Sequence, residues 1–139
     1  MASLHSLRQR IHKSNPPGVA MDATEYFRTK VEYEISPAAL KARMAEKEVL
    51  VLDVRDRESF AKEHIAGARN IPLEEIHKSF ASLPDDKTIV AYCWSFSCQA
   101  AARAAIELAQ KGFQVQELIG GIEEWKRLNF PVEKKQAGG

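Results

Sequence analysis

The residue with the widest chemical scope in this 139-residue chain is Cys93, because a thiol becomes a strong nucleophile once it ionises. It directly follows the apolar run Thr88-Ile89-Val90-Ala91-Tyr92 and precedes, by a short loop, the alanine-rich stretch Ala100-Ala101-Ala102-Arg103-Ala104-Ala105. The run reads as a strand and the stretch as the beginning of a helix. Unpaired N–H groups at such a helix start, together with those of the loop, favour an anion, so a thiolate at Cys93 is stabilised near neutral pH. A cysteine in an α/β domain is more often packing than catalysis, and it is the place between strand and helix that turns the reading to chemistry.

Three other residues near strand ends invite the same question. Asp53 and Arg55 follow the apolar run Val49-Leu50-Val51-Leu52, where they either support the loop at the mouth of the sheet or form a structural ion pair. His64 is a tempting base, but at the start of a turn with Gly67 nearby the structural role is favoured. Metal binding is set aside: Cys93 and Cys98, the only cysteines, stand in a C-x-x-x-x-C spacing without a neighbouring histidine, short of the four ligands of a structural zinc site.

The elements that must position these residues follow from hydrophobic pattern and breakers. Val49 to Asp53, Thr88 to Tyr92 and Val115 to Ile119 read as strands, the first two as buried on both faces. Glu58 to Lys62, Leu73 to Phe80, Gln99 to Lys111 and Ile122 to Leu128 read as helices, with Gly112 closing the third. Ser36-Pro37 caps and opens a helix through about Ala45, and Asp22 with Glu25 caps a short one reaching toward Lys30. Gly120-Gly121 serves a tight turn into the last helix, which Trp125 packs down. Alternation at this spacing predicts an α/β fold, a mainly parallel sheet flanked by helices on both faces.

The expected organisation is a basic tail and short helix over residues 1–32, one domain over 33–132 and a frayed tail over 133–139. In the first segment Leu4, Leu7 and Ile11 lie at helical spacing among Arg8, Arg10 and Lys13, which suits a mobile basic tail, a weak organellar presequence or a partner helix. Formal charge is +1, so nothing global attracts nucleic acid or an anionic membrane, and no stretch approaches the roughly 18 to 20 apolar residues of a membrane span. Two cysteines are too few for a secreted disulfide framework, so a reducing, cytoplasmic setting is expected.

Asp53-Val54-Arg55, the run from Glu63 to Pro72, the loop Tyr92-Cys93-Trp94-Ser95-Phe96-Ser97-Cys98 and Gly120-Gly121-Ile122-Glu123-Glu124-Trp125 together resemble the rhodanese family, in that order and with fitting spacing. The resemblance covers about Tyr33 to Pro131. It implies a single-domain sulfurtransferase in which Cys93 takes sulfane sulfur as a persulfide and passes it to a thiophilic acceptor, with Trp94, Ser95, Phe96, Ser97, Cys98 and Gln99 lining the substrate and Asp53 and Arg55 in support. The partners implied are a small sulfur donor (thiosulfate, polysulfide or persulfide) and a thiol or cyanide-like acceptor, or alternatively a protein acceptor. No cofactor, metal, nucleic acid or membrane is called for.

The loop departs from the usual family pattern C-R-x-G-x-R, since Trp94, Phe96 and Cys98 stand where arginine, glycine and arginine would be. It is closer to a branch with C-W-G-P-x-C-N. A loop without Lys or Arg gives a dianion backbone N–H groups only, which makes thiosulfate a poor donor. Cys98 has two readings: a resolving thiol that attacks the persulfide or forms a disulfide, and a small apolar residue at the helix start. Two rival functions remain. A cysteine-dependent phosphatase resembles H-C-x-x-x-x-x-R, but Tyr92 and Gln99 occupy the histidine and arginine positions. A rhodanese-like domain that only binds or regulates, or a Cys93/Cys98 redox switch, is the stronger alternative.

Overall fold

The computed structural model describes residues 21–135, and the chain divides into two units, residues 1–32 and 33–139. The basic segment containing Leu4, Leu7 and Ile11 and the last four residues of the expected C-terminal tail lie outside the described residues. Helix α1 (Ala23–Tyr33) begins where the sequence predicts, with Asp22 Oδ1 accepting the Glu25 N–H at 2.9 Å, and runs three residues past Lys30. No described helix is long and apolar enough to cross a membrane.

The remaining elements are β1 (Glu34–Ile35), α2 (Pro37–Ala45), β2 (Val49–Asp53), α3 (Arg57–Lys62), β3 (His64–Ile65), β4 (Arg69–Asn70), two 3₁₀ turns (Leu73–Lys78 and Phe80–Ser82), β5 (Thr88–Tyr92), α4 (Ala100–Gln110), β6 (Val115–Leu118), α5 (Gly121–Arg127) and β7 (Val132–Glu133). Five strands form one parallel sheet in the order β1-β6-β5-β2-β4. The α/β class and the parallel sheet are therefore as predicted. Ser36 caps α2 by accepting the Ala39 N–H at 3.2 Å, with Pro37 in the first turn. Gly112, at φ +91°, ends α4: its N–H reaches the Ala109 carbonyl, and that of Phe113 reaches Leu108.

Strand period two sorts the core into halves. Ile89, Ala91 and Cys93 face one side with Ala101, Ala104 and Leu108 of α4 and Ile76 of the first 3₁₀ turn. Val90 and Tyr92 face the other with Leu40 of α2 and Ile122 and Trp125 of α5. Both faces of β5 are thus covered, as its continuous apolar run requires. Ala101, Ala104 and Leu108 recur at helical spacing, and the two alanines let α4 lie close against the sheet.

Two expectations need correction, and four short strands were not anticipated. Leu73 to Phe80 is not an α-helix. Its apolar side chains fall three apart (Leu73 and Ile76, then Phe80 and Leu83), a spacing that stacks them on one edge of a three-residue turn, and the Ser79 hydroxyl bonds back to the Glu75 carbonyl at 2.7 Å. Strands β1, β3, β4 and β7 have two residues each, too few to display a period. Glu133, assigned to the tail, belongs to β7, which pairs antiparallel with β3. Its carboxylate accepts the Gly67 N–H at 3.0 Å and faces His64 Nε2 at 3.2 Å; these contacts, the Gly67 bond foremost, hold its pKa below the ordinary value.

Candidate active site at the β5–α4 loop

Cys93 is the first residue past β5 and continues its alternation, so its side chain turns into the face covered by α4 and is only 5% exposed. The start of the loop that follows is anchored to β2 and to α5. The Tyr92 carbonyl accepts the Val54 N–H at 3.1 Å, tying β5 to the end of β2. The carbonyls of Cys93 and Trp94 accept the N–H groups of Ile122 and Glu123, at 3.0 and 2.9 Å, from the first turn of α5. Inside the loop the Cys98 N–H donates to the Ser95 carbonyl at 3.2 Å, folding the chain back on itself, and the Ser95 and Ser97 hydroxyls lie 3.2 Å apart.

Cys93 and Cys98 are joined by a disulfide, with Cα atoms 6.3 Å apart. In the oxidised loop the Cys98 sulfur thus meets that of Cys93, as the first reading of Cys98 requires, while its half-buried side chain also packs against the core cluster under α4, as the second requires. Gln99 occupies the N-cap position of α4 without a side-chain hydrogen bond, so no side chain competes for the first N–H groups of that helix.

Asp53 and Arg55 are both buried and form an ion pair, Nη2 to Oδ2 at 2.7 Å. Asp53 also accepts the Arg55 backbone N–H at 2.9 Å and its Nε at 3.1 Å, while Arg55 Nη2 donates to the Glu63 carbonyl at 2.6 Å. Burial opposes the guanidinium's charge, but hydrogen bonding and attraction to Asp53 outweigh it and hold the Arg55 pKa above its ordinary value. The same guanidinium lies 4.3 Å from the centre of the Trp94 ring, a cation–π contact. The ion-pair and loop-support readings are therefore two faces of one arrangement: Asp53 fixes Arg55, and Arg55 carries the indole of the loop.

The structure also shows supports that sequence reasoning missed. Asn70 Nδ2 donates to the carbonyls of Asp53 and Arg55, at 3.0 and 2.9 Å, clamping the end of β2. The Tyr92 hydroxyl accepts the Ile65 N–H at 3.1 Å; burial, and then the nearby Asp53 charge, push its pKa above the ordinary value, so it stays a neutral strut. His64 is held in place on every side: its ring stacks on Phe60 at 3.6 Å, Nδ1 lies 2.7 Å from the Phe60 carbonyl, and Nε2 meets Glu133. No group of three or more candidate metal ligands occurs among the described residues.

Gly121 is a further support, packed against main chain. At φ +61° it already occupies a conformation that disfavours side chains, and a Cβ there would lie 2.6 Å from the Cys93 carbonyl oxygen and 2.7 Å from the Trp94 carbonyl carbon. Gly121→Ala is expected to cost about 2–4 kcal/mol, from backbone strain together with overpacking against main chain that has nowhere to go. Urea unfolding checks this, and an alanine variant as stable as the parent would show that the loop does not depend on that approach.

Trp94 and Phe96 are 49% and 73% exposed, an unusual display of aromatic surface beside a buried sulfur. Trp94 borders a cavity of about 370 Å³ whose walls include Arg55, Lys62, Glu123 and Lys126. A second cavity, of about 520 Å³, lies at Arg57, Phe60, His64 and Arg69 and includes none of the predicted site residues. Ser97 and Gln99 are exposed, and Phe96 lies over Gly120.

The family profile described as Rhodanese-like domain matches residues 36–128. The chain is 34% identical over 134 residues to an HTH-type transcriptional regulator of Mycobacterium tuberculosis, a match covering 96% of this chain but 59% of the regulator. It is similar, at 33% identity over 82 residues, to the thiosulfate sulfurtransferase GlpE of Coxiella burnetii, covering 58% of this chain and 74% of that protein. A crystal structure of a Bacillus halodurans protein superposes with a TM-score of 0.75 at 38% identity, over 81% of this chain and 85% of the other.

Proposed function

Because this chain belongs to the rhodanese-like domain family, we propose that it is a sulfurtransferase that carries sulfane sulfur as a persulfide on Cys93. The observation that carries the proposal is the seat of Cys93: at the carboxyl end of a central parallel strand, beside a helix start with no side-chain cap, on a loop whose carbonyls are held by α5. In the reduced loop the Cys93 thiolate attacks the outer sulfur of a donor, and the rest of the donor departs as thiolate from a persulfide, as the shortened chain from a polysulfide or as sulfite from thiosulfate. An acceptor thiolate or cyanide then takes that sulfur and returns Cys93 as thiolate. Loop and helix N–H groups stabilise the anion on either side of each step. A small donor enters beside Trp94 and the acceptor is a thiol, with a protein thiol as the alternative. A reducing compartment such as the cytoplasm keeps both cysteines as thiols.

Intact mass after incubation with thiosulfate, polysulfide or a low-molecular-weight persulfide tests the proposal: one added sulfur atom, removable by cyanide, is the expected result. The expected order places persulfide and polysulfide well ahead of thiosulfate, by about tenfold or more in kcat/KM, corresponding to one missing charge-assisted contact. The cations around the loop and the Trp94 cavity already have partners: Arg55 is paired with Asp53, Lys126 with Glu63 and Lys62 with Glu58, and Arg69 donates to the Ser82 carbonyl and hydroxyl at 2.7 Å each. A clear thiosulfate preference would overturn this account of the loop.

A second reading rests on the regulator match, which runs through nearly all of this chain. In it, the domain reports sulfane sulfur or redox state to a larger protein, and Cys93 with Cys98 is the switch. Uptake of one sulfur atom without turnover to any acceptor would favour that reading.

A further inference from the structure

We infer that Cys98 is a resolving nucleophile that discharges the Cys93 persulfide as sulfide, giving the domain a second activity beside sulfur transfer; this rests on the persulfide proposed above. The observation is that the Cys98 sulfur bonds directly to the Cys93 sulfur within a folded loop, with Cα atoms 6.3 Å apart, inside the range a disulfide spans. In a persulfide that sulfur is the inner of two. Attack on the outer sulfur would move sulfane sulfur to Cys98, whereas attack on the inner one expels it. The atom that Cys98 reaches is the inner one.

The step balances without an outside oxidant. The Cys98 thiolate forms a bond to the Cys93 sulfur, the bond from that sulfur to the outer sulfur breaks, and the outer sulfur leaves as hydrosulfide with its proton. Sulfane sulfur is reduced to sulfide, and the two thiols are oxidised to the disulfide. A dithiol reductant then restores both thiols by exchange. The sequence has no third cysteine to divert either intermediate.

A purely structural staple fits the loop less well. The carbonyls of Cys93 and Trp94 are already held by Ile122 and Glu123, the Cys98 N–H by Ser95, and Cys98 begins the approach to α4 against the core. Closing so short a loop removes little freedom from the unfolded chain. Closing it does remove the nucleophile. The domain therefore faces a partition at each loading: an acceptor that arrives first receives sulfur, and one that arrives late finds a disulfide.

The test uses the whole chain, reduced, freed of reductant and given one equivalent of inorganic polysulfide without an acceptor. Expected are a transient gain of one sulfur atom, release of one sulfide per protein beyond what the spent polysulfide itself leaves on loading, loss of both titratable thiols and a peptide linking Cys93 to Cys98. Cys98→Ala and Cys98→Ser should hold the persulfide at least tenfold longer and release no matching sulfide. A parent protein that gains sulfur and keeps both it and the Cys98 thiol overturns the resolving role while leaving the persulfide intact, and this arm needs no variant to fold. Equal persulfide lifetimes in parent and variants do the same. Failure of parent and variants alike to gain sulfur would instead overturn the persulfide itself.

Discussion

Cys93→Ser is expected to abolish sulfur transfer, by at least about a thousandfold, while the domain stays folded. The magnitude follows from the role: a hydroxyl in place of the thiolate is a far weaker nucleophile at neutral pH, and a persulfide cannot form on oxygen, so only background reaction between donor and acceptor remains. The fold should tolerate the change because serine nearly matches the volume of cysteine. Its cost is a hydroxyl buried beside Ala101 and Ala104, about 1–2 kcal/mol, lessened where the hydroxyl finds a loop partner. Cyanide and thiol acceptors should both report the loss, with circular dichroism and urea unfolding as the check on structure. A serine variant that transfers sulfur at the parental rate would remove Cys93 from the chemistry.

Asp53→Ala should bring the largest loss of stability, about 3–5 kcal/mol, because it strands the Arg55 guanidinium in a site where its side chain is 1% exposed. Against a typical total of about 5–15 kcal/mol this threatens the fold itself. The damage should also reach the loop, since Arg55 is the surface on which Trp94 rests. Replacing both partners, Asp53→Ala with Arg55→Met, should recover a substantial part of the stability, because no charge then remains buried, yet should leave sulfur transfer impaired if the Trp94 contact matters. Unfolding midpoints for the two single variants and the double variant provide the coupling energy. A single Asp53→Ala variant within 1 kcal/mol of the parent, on the order of ordinary surface changes, would mean that Arg55 finds water when its partner is removed.

The contrast between these residues shows what a sequence makes legible. Cys93 stands out as a candidate because a strand pattern ends on Tyr92 and a helix pattern starts soon after, and both signals are local. The run from Val49 to Asp53 announced a strand covered on both faces for the same reason, and Ser36-Pro37 and Gly112 fixed helix ends through their own side-chain and backbone chemistry. The two-residue strands carry no such pattern, because their extended form comes from partners far along the chain, as when β3 is held by β7. The grip of α5 on the loop was hidden for a different reason. It is made by the N–H groups of Ile122 and Glu123, which every residue but proline possesses, and only the pair Gly120-Gly121 hinted that two stretches of main chain meet. Arg55 was legible as a candidate but not in its double role, which depends on how Trp94 folds back over it.

That grip also sets the polarity of the loop. A trans peptide is a rigid plane in which the carbonyl of one residue and the N–H of the next point in opposite directions, and the described chain contains no cis bond. With the carbonyls of Cys93 and Trp94 turned toward α5, the N–H groups of Trp94 and Ser95 must turn away from it. Each anchored oxygen thus fixes the heading of a peptide dipole, positive end outward from α5, before any donor arrives. Reversing either dipole means breaking a hydrogen bond to a helix, so the loop meets negative charge with an orientation already decided, supplied entirely by backbone and indifferent to the identity of its side chains.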